Sequence, residues 1–273
     1  MLRGGEFAVI DGIKGMKTIL LAGGLGTRLR EETRAKPKPM VEVGGKPLLW
    51  HIINIYAHYG QKDFIICMGY LGNVIRDYFM NYDSLNKDVT VTFGQSQKVE
   101  FHNTRENGDF NVTLADTGAH TMTGGRITKV KSYIGDDETF MVTYGDGLAD
   151  IDIAALMAFH KSHGKIGTVS AVQPDSRFGI LELSEEDGVT AFIEKPKLDG
   201  WINCGFFIFQ REFLEYLGGD DSILEREPLE KLAADGELMC FKHPGFFYAM
   251  DTFREYQKLN DMWKRGEAPW KVW

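Results

Sequence analysis

Short apolar runs alternate along this sequence with segments of helical periodicity. Four runs have the length and composition of buried parallel strands: KTILLAG, KDFIICMGY, TFMVTYGDG and GTVSAVQP. The segments between them carry apolar residues at helical spacing: PLLWHIINIYAHYG, NVIRDYFMNY and DIAALMAFHKSHG. This alternation favours right-handed βαβ units and therefore predicts a sheet that is covered by helices on both faces.

Two stretches depart from this alternation. Residues 85–125 alternate apolar and polar side chains and are predicted to form a β-rich insertion, while residues 178–209 predict a hairpin and a following strand. No repeat or linker divides the rest, so we expect one domain over residues 16–273, with residues 1–15 as an extension outside the fold. The predicted class is α/β, a Rossmann-like mixed, mostly parallel sheet flanked by helices and carrying a β-rich insertion.

Charge and cysteine content exclude several classes of function. A formal net charge of -8 argues against general nucleic-acid binding, which needs a basic face. Cys67, Cys204 and Cys240 are too far apart for a disulfide framework or a zinc site, so we expect reduced thiols and a cytoplasmic protein. No apolar run reaches the roughly 18 residues of a membrane helix, and an acid interrupts the short apolar part of residues 1–15, unlike a signal peptide.

The first strand runs directly into the glycine-rich loop LLAGGLGTRL, residues 20–29. This loop has neither the Gly-Lys-Ser/Thr ending of a P-loop nor the G-x-G-x-x-G pattern of dinucleotide folds. Its glycines Gly23, Gly24 and Gly26 can still present backbone amides to phosphate oxygens, and Arg28 adds a planar bidentate donor. The loop alone leaves two interpretations open, a phosphate-binding loop and a glycine turn with a solvated arginine.

Lysines and acids in other segments favour the phosphate-binding interpretation. In KPKPM, each proline is expected to hold the preceding lysine extended, which would point Lys36 and Lys38 the same way. Asp146 follows a strand between two glycines and Asp251 follows another apolar run, so both are candidate magnesium ligands. Taken by itself, Asp251 is better explained as a helix cap, and Asp152 is expected to cap the helix that follows it.

Two further segments carry candidate ligands for phosphate. FIEKPK brings Glu194 and Lys195 to the end of a strand, where the following proline is again expected to make the lysine rigid. DTGAHTMTGGR brings a possible anion site before the N-terminus of a predicted helix, formed by Thr121, Thr123, Gly124, Gly125 and Arg126. The sequence contains no G-x-S-x-G motif or other activated nucleophile. Phosphate ligands, lysines and acids without a nucleophile suit phosphoryl or nucleotidyl transfer by positioning and charge neutralisation.

Taken in order, several motifs resemble those of the sugar-1-phosphate nucleotidyltransferases: LAGGLGTRL, KPKPM, GKPLLWHI, YGDG, EKP, NCGFFIF and MDT. Four further segments are similar to the branch of that family that uses CTP and glucose 1-phosphate: DFIICMGY, NVTLADTGAHTMTGGRI, HPGFFYAMDT and APWKVW. The resemblance extends over residues 16–273. It implies that the glucose 1-phosphate oxygen attacks CTP directly in line, with Mg²⁺, to give CDP-glucose and pyrophosphate. It also implies a homohexamer, with subunit contacts at the insertion, and a role in surface polysaccharide biosynthesis.

The resemblance implies a role for each motif residue. The implied catalytic residues are Arg28, Lys38, Asp146 and Lys195. The implied nucleotide ligands are Leu21, Ala22, Gly23, Gly24, Leu25, Gly26, Thr27, Arg28, Lys38, Thr121, Arg126 and Gly145. The implied sugar-phosphate ligands are Gly179, Glu194, Lys195 and Asn203. The implied metal ligands are Asp146 and Asp251.

Two alternatives remain open at this point. One is a thymidylyl- or uridylyltransferase acting on a hexose 1-phosphate, which the TGGR segment makes less favoured. The other is a regulatory subunit that senses a nucleotide sugar without catalysis. Retention of Arg28, Asp146, Lys195 and Asp251 argues against the sensor, because binding alone requires no complete metal site.

Overall fold

A computed structural model gives the structure of the protein and describes residues 15–24, 26, 33, 35–94, 96–102, 110–176 and 178–273. The strands in these ranges are β1 (Lys17–Leu21), β2 (Glu42–Val43), β3 (Lys46–Pro47), β4 (Asp63–Met68), β5 (Asp88–Thr92), β6 (Lys98–His102), β7 (Asn111–Asp116), β8 (Thr139–Tyr144), β9 (Gly147–Ala149), β10 (Gly167–Val172), β11 (Ile180–Leu183), β12 (Val189–Ile193), β13 (Ile202–Gln210), β14 (Leu238–Lys242) and β15 (Phe247–Ala249). The α-helices there are α1 (Leu48–His58), α2 (Gly72–Met80), α3 (Tyr82–Asn86), α4 (Thr123–Ile134), α5 (Ile153–His163), α6 (Glu227–Ala234) and α7 (Phe253–Arg265).

The central sheet has seven strands in the order β14-β10-β13-β8-β1-β4-β7. All of them run in the same direction except β13, which is antiparallel to both β10 and β8. The prediction of a mixed, mostly parallel sheet is therefore confirmed. Since the carboxyl ends of parallel strands meet at one edge, the loops after β1, β4, β7 and β8 lie side by side.

Helices pack on both faces of this sheet and bury two apolar cores. Leu20 of β1 packs with Ile52 of α1 on one face, and the preceding Ile19 packs with Ile127 of α4 on the other. Successive side chains of a strand point to opposite faces, so a strand buried on both faces needs an unbroken apolar run. That requirement explains why KTILL shows no alternation of apolar and polar residues.

The region predicted as a β-rich insertion, residues 85–125, is divided between two parts of the structure. Strands β5 and β6 form a separate antiparallel hairpin. Strand β7, however, pairs with β4 at the edge of the central sheet and leads into α4. The separate hairpin is thus shorter than the predicted insertion. In sequence, strand β7 resembles the hairpin strands. Strand β7 lies at the edge of the sheet and is partly exposed, so apolar and polar residues alternate along it.

A small two-stranded sheet connects distant parts of the chain beside the carboxyl end of β8. Strands β9 and β15 pair antiparallel with Gly147 opposite Ala249. The amide of Met250 donates to the carbonyl oxygen of Asp146 at 3.0 Å. This pairing brings the segments that contain Asp146 and Asp251 next to each other.

Two simpler expectations concern the termini and the cysteines. Residues 1–14, most of the predicted extension, lie outside the described residues. Cys67, Cys204 and Cys240 are free thiols, as predicted. Among the helices of the described ranges, none combines the length and apolar character required to cross a membrane.

Candidate active site

A cleft of about 470 Å³ opens at the carboxyl ends of β1 and β8. Of the residues predicted for the site, those that line it are Leu21, Gly23, Gly24, Gly26, Lys38, Thr121, Arg126, Gly145, Asp146 and Asp251. Ala22 is buried directly behind the glycine loop, where its amide donates to the Cys67 carbonyl oxygen at 3.1 Å. Leu25, Thr27 and Arg28 lie outside the described residues. The cleft occupies the edge of the sheet where ligands bind in parallel α/β folds.

Arg126 holds the start of the glycine loop in place. It is only 4% exposed, and its guanidinium donates to the carbonyl oxygens of Gly23, Met68 and Gly118 at 3.0, 3.1 and 3.0 Å and to the Thr117 hydroxyl at 2.6 Å. These acceptors follow the carboxyl ends of β1, β4 and β7, so one side chain ties three strand ends together. A Cβ at Gly23 would lie 2.0 Å from a guanidinium nitrogen, which explains why this position requires glycine.

The start of α4 differs from the predicted anion site. The amides of Gly124 and Gly125 both donate to the carbonyl oxygen of Ser222, at 2.8 and 3.1 Å. The protein's own backbone therefore occupies two of the donors that an anion at this helix terminus would use. Thr121 precedes the helix and lines the cleft, and its buried hydroxyl donates to the Thr117 carbonyl oxygen at 2.6 Å.

Lys38 lies between the two acids predicted as metal ligands. Its Nζ is 2.6 Å from a carboxylate oxygen of Asp146 and 2.6 Å from one of Asp251. Burial by itself lowers the pKa of Lys38, but the charges and hydrogen bonds of the two carboxylates outweigh burial and raise it above the ordinary value. A positive charge is therefore stabilised at the point where the two carboxylates converge.

The sequence predicted that Lys36 and Lys38 would both be extended and point the same way, and Lys38 differs from that prediction. Lys38 begins a short 3₁₀ helix, Lys38–Met40, and Lys36 instead pairs with Glu42 at 2.9 Å near the surface. Lys195 has a φ of +47°, in the left-handed region. The expectation of an extended lysine is therefore wrong for Lys38, whereas for Lys195 the sequence predicted only a rigid lysine. At Lys38, the two ion pairs of the buried lysine outweigh the preference for an extended backbone that the following proline imposes.

Helix capping distinguishes Asp152, which has a structural role, from Asp251, which belongs to the site. Thr252 caps α7, because its hydroxyl accepts from the amide of Glu255 at 3.3 Å. The interpretation of Asp251 as the cap is therefore wrong, and its carboxylate contacts Lys38 instead. Asp152 caps α5 as predicted, accepting from the amide of Ala155 at 2.9 Å.

The donor set of the cleft is suited to a divalent cation that substrates help to bind. Asp146 and Asp251 already direct oxygens toward one positive charge, and magnesium is commonly held by one or two carboxylates together with substrate phosphates. Within the described part of the chain, no group of three or more His, Cys, Asp or Glu side chains could hold a metal alone. Substrate oxygens would have to complete the coordination of a cation here.

Tyr144 and Glu225 line the cleft but were not predicted from the sequence, and Thr123, from the segment predicted as a possible anion site, lines the cleft beside them. The Tyr144 hydroxyl donates to one carboxylate oxygen of Glu225, and the Thr123 hydroxyl donates to the other at 2.8 Å. Burial, followed by the charge of Glu225, raises the pKa of Tyr144, so its hydroxyl remains a donor. Tyr144 directly precedes the Gly-Asp-Gly motif and could have been found from it, whereas Glu225 belongs to no motif.

The residues predicted for the sugar phosphate divide into two groups. Asn203 is not part of the cleft lining but contacts a residue that is, since its amide nitrogen donates to the Tyr144 hydroxyl at 3.3 Å. Gly179, Glu194 and Lys195 lie together at the base of the β11–β12 hairpin, outside the cleft lining. Lys195 Nζ is 3.2 Å from a carboxylate oxygen of Glu194, and both side chains are more than half exposed.

The chain matches the model of the Nucleotidyl transferase family over residues 17–241. It is 52% identical over 259 residues to glucose-1-phosphate cytidylyltransferase of Salmonella typhi, across 94% of this chain and 100% of that protein. It is 42% identical over 260 residues to a probable glucose-1-phosphate cytidylyltransferase of Bacillus subtilis, with 94% and 100% covered. Among solved structures, HddC from Yersinia pseudotuberculosis in complex with GMP-PN has a TM-score of 0.65 at 23% identity, covering 91% of this chain and 99% of that one. That likeness supports the fold alone.

Proposed function

The chain belongs to the nucleotidyl transferase family, and from this premise we propose that it is a glucose-1-phosphate cytidylyltransferase. It transfers the cytidylyl group of CTP to α-D-glucose 1-phosphate and releases CDP-glucose and pyrophosphate. The observation that carries this proposal is 52% identity, over 94% of the chain and the whole of the relative, to an enzyme of that name. The cleft supports it by combining a glycine loop, a buried lysine and two carboxylates.

The chemistry is a direct displacement at phosphorus. A phosphate oxygen of glucose 1-phosphate forms a bond to the α-phosphorus of CTP, and the bond from that phosphorus to the bridging oxygen of pyrophosphate breaks. The protein contributes position and charge rather than a covalent intermediate. Gly24 leaves the backbone open to the phosphates, and Lys38 exchanges its carboxylate partners for the phosphate oxygens that gain charge.

The cofactor of this reaction is Mg²⁺, held by Asp146 and Asp251 together with substrate phosphate oxygens. When bound, it neutralises phosphate charge and aligns the triphosphate for attack. The supporting observation is that both carboxylates converge on the Lys38 ammonium. Lys38 therefore stands in for a cation at this point.

Substitution of one carboxylate tests the metal assignment. Asp146→Asn removes a negative ligand and should lower kcat by about a hundredfold or more at saturating Mg²⁺. The melting temperature should change little, because Asp146 is partly exposed and the pairing of β9 with β15 uses its backbone only. Asp136→Asn, in the exposed turn after α4, is the matched control. A kcat equal to that of the unsubstituted protein would contradict the assignment.

The substrate assignment is tested with a matrix of nucleotides against sugar 1-phosphates. Pyrophosphate release in the presence of Mg²⁺ is expected to be fastest for CTP with glucose 1-phosphate, with CDP-glucose identified by mass spectrometry. A preference for UTP or dTTP would show that the assignment of cytosine as the base is wrong, while the assignment to the nucleotidyl transferase family would stand. Binding of CTP in calorimetry without any release of pyrophosphate would support the sensor instead.

Lys195 and its neighbours are assigned to the sugar phosphate. The supporting observation is the φ of +47° at Lys195, because non-glycine residues with strained backbones cluster at functional sites. Asn203 is assigned to the same substrate, and it contacts the cleft residue Tyr144 through a hydrogen bond. Glu194 lies within 3.2 Å of the lysine ammonium and keeps its position defined.

We propose that the protein acts in the cytoplasm as a homo-oligomer, the homohexamer that the resemblance of its motifs implies. The β5–β6 hairpin exposes apolar side chains that a second copy would bury, among them Val91, Phe93, Val99 and Phe101. The three free thiols suit a reducing compartment. Light scattering should give a mass several times that of one chain, and a monomer mass would refute the oligomer.

A further inference from the structure

Glu225 presents a fixed carboxylate to the cleft without a cation beside it among its described contacts. Both of its oxygens accept from hydroxyl groups, one from Tyr144 and one from Thr123. Thr123 is in turn fixed, because its hydroxyl accepts from the Leu224 amide at 2.9 Å. The Tyr144 hydroxyl likewise accepts from Asn203. The orientation of the carboxylate is thus set by hydrogen bonds from the protein itself.

This carboxylate retains the capacity to accept more hydrogen bonds. An ionised carboxylate has about four lone-pair sites, and the two hydroxyl groups occupy only two of them. Glu225 is exposed and lines the cleft. The remaining sites are therefore available to a hydrogen-bond donor on a bound molecule. Phosphate cannot be that group, since two anions repel one another.

The position of Glu225 along the cleft limits which donor it can meet. Its partner Tyr144 is the last residue of β8, immediately before Gly145 and Asp146, where the phosphates react. The groups attached next to the reacting phosphates are sugar rings, the ribose of the nucleotide and the ring of the sugar phosphate. Both rings carry hydroxyl groups, which are donors of the kind that a carboxylate binds.

We propose that Glu225 is a specificity residue of this enzyme and that its carboxylate accepts a hydrogen bond from a ring hydroxyl of a bound substrate. The hydroxyl belongs to the ribose of CTP or to the glucose ring of glucose 1-phosphate. Tyr144 and Thr123 are positioning residues that hold the carboxylate toward the cleft. The proposal rests on the proposed function, because that function supplies the two substrates.

The test removes the carboxylate and the hydroxyl groups independently. Glu225→Ala and Glu225→Gln are compared with the unsubstituted protein and with Glu230→Gln, a matched control on the exposed face of α6. Each protein is assayed with CTP and its 2′- and 3′-deoxy analogues, and with glucose 1-phosphate and its singly deoxygenated analogues. The unsubstituted protein should lose about tenfold to a hundredfold in kcat/KM for the analogue that lacks the recognised hydroxyl.

In Glu225→Ala, the loss of kcat/KM for the analogue that lacks the recognised hydroxyl should shrink to less than about twofold, while the losses for the other analogues stay unchanged. In Glu225→Gln, the loss for that analogue should lie between the values of Glu225→Ala and of the unsubstituted protein. Loss of the penalty for a deoxy-CTP assigns the carboxylate to ribose, and loss for a deoxyglucose 1-phosphate assigns it to glucose. Unchanged penalties for every analogue in Glu225→Ala would overturn the proposal. Each protein is also assayed with UTP in place of CTP, and a change confined to discrimination between CTP and UTP would likewise overturn the proposal, because it would mean that Glu225 contacts the base.

Calorimetry separates this proposal from the function on which it rests. The same substrates and analogues are titrated into the same four proteins, and the penalties are measured as ratios of Kd. If no pyrophosphate forms, the proposed function fails, but these ratios still decide whether Glu225 binds a hydroxyl. A change in melting temperature with unchanged ratios would assign Glu225 a structural role only and overturn the proposal.

Discussion

His51 should make the stability of this fold depend on pH between 7 and 5. The residue lies on α1, is fully buried and is surrounded by tryptophan rings, including Trp263 and Trp270. Its Nε2 donates to the Val43 carbonyl oxygen at 2.8 Å, and its Nδ1 accepts from the indole N–H of Trp270 at 3.3 Å. Because Trp270 can only donate, Nδ1 must be unprotonated, and the imidazole is neutral.

The magnitude follows from the pKa of this imidazole. Burial lowers the pKa of His51 from 6.5 to about 4. Between these values the unfolded chain binds a proton that the folded protein does not, so stability rises with pH in this range. The contribution is complete above about pH 6.5 and is lost as the pH falls toward 4. Lowering the pH from 7 to 5 should therefore cost about 2 kcal/mol through this residue.

Urea unfolding at pH 7, 6 and 5 measures this cost. At pH 7, the free energy of unfolding of His51→Gln should be lower than that of the unsubstituted protein. Between pH 7 and pH 5, however, His51→Gln should lose about 2 kcal/mol less of this free energy than the unsubstituted protein loses. His120→Gln, at an exposed histidine, is the control and should follow the unsubstituted protein. His160 is also buried with a pKa lowered to about 4, and its contribution is common to all three proteins. An equally steep loss in His51→Gln would refute the reasoning.

Two further substitutions test the cleft. Gly23→Ala would place a methyl group 2.0 Å from a guanidinium nitrogen of Arg126 and should lower the free energy of unfolding. The expected loss is about 2 to 4 kcal/mol, because four hydrogen bonds must rearrange. Gly24→Ala is the matched control, since nothing lies within 4 Å of the added Cβ, and equal urea midpoints would contradict the steric argument. Lys195→Ala should raise the KM for glucose 1-phosphate by about tenfold and leave that for CTP unchanged. An unaltered KM for glucose 1-phosphate would remove Lys195 from the sugar-phosphate site.

Much of the fold was predictable because its local rules are strong. The strands β1, β4, β8 and β10 were recognisable as apolar runs, since strands buried on both faces admit few polar side chains. The cap at Asp152 was predictable because a cap satisfies amides only a few residues away. Strand β7 was assigned to the insertion, since an edge strand and a free hairpin have the same alternation.

Predictions about the site were least reliable where a local preference competed with distant contacts. Proline biases the residue before it by a modest energy, and two ion pairs outweighed that bias at Lys38. The start of α4 has the sequence of an anion site, but Ser222, from a distant segment, occupies its amides. Nothing near Arg126 in sequence indicates that it binds the carbonyl oxygens of three strand ends.

The sequence by itself determined the α/β class, the family and the residue types that phosphate chemistry needs, because periodicity and motifs are properties of short segments. Only the tertiary structure decided which of those residues meet. The order of strands places β8 beside β1, and the pairing of β9 with β15 carries Asp251 to Asp146, with Lys38 between them. Glu225 reached the cleft in the same way, through contacts with Tyr144 and other residues far from it along the chain. Such contacts depend on how separate elements pack, which no short segment encodes.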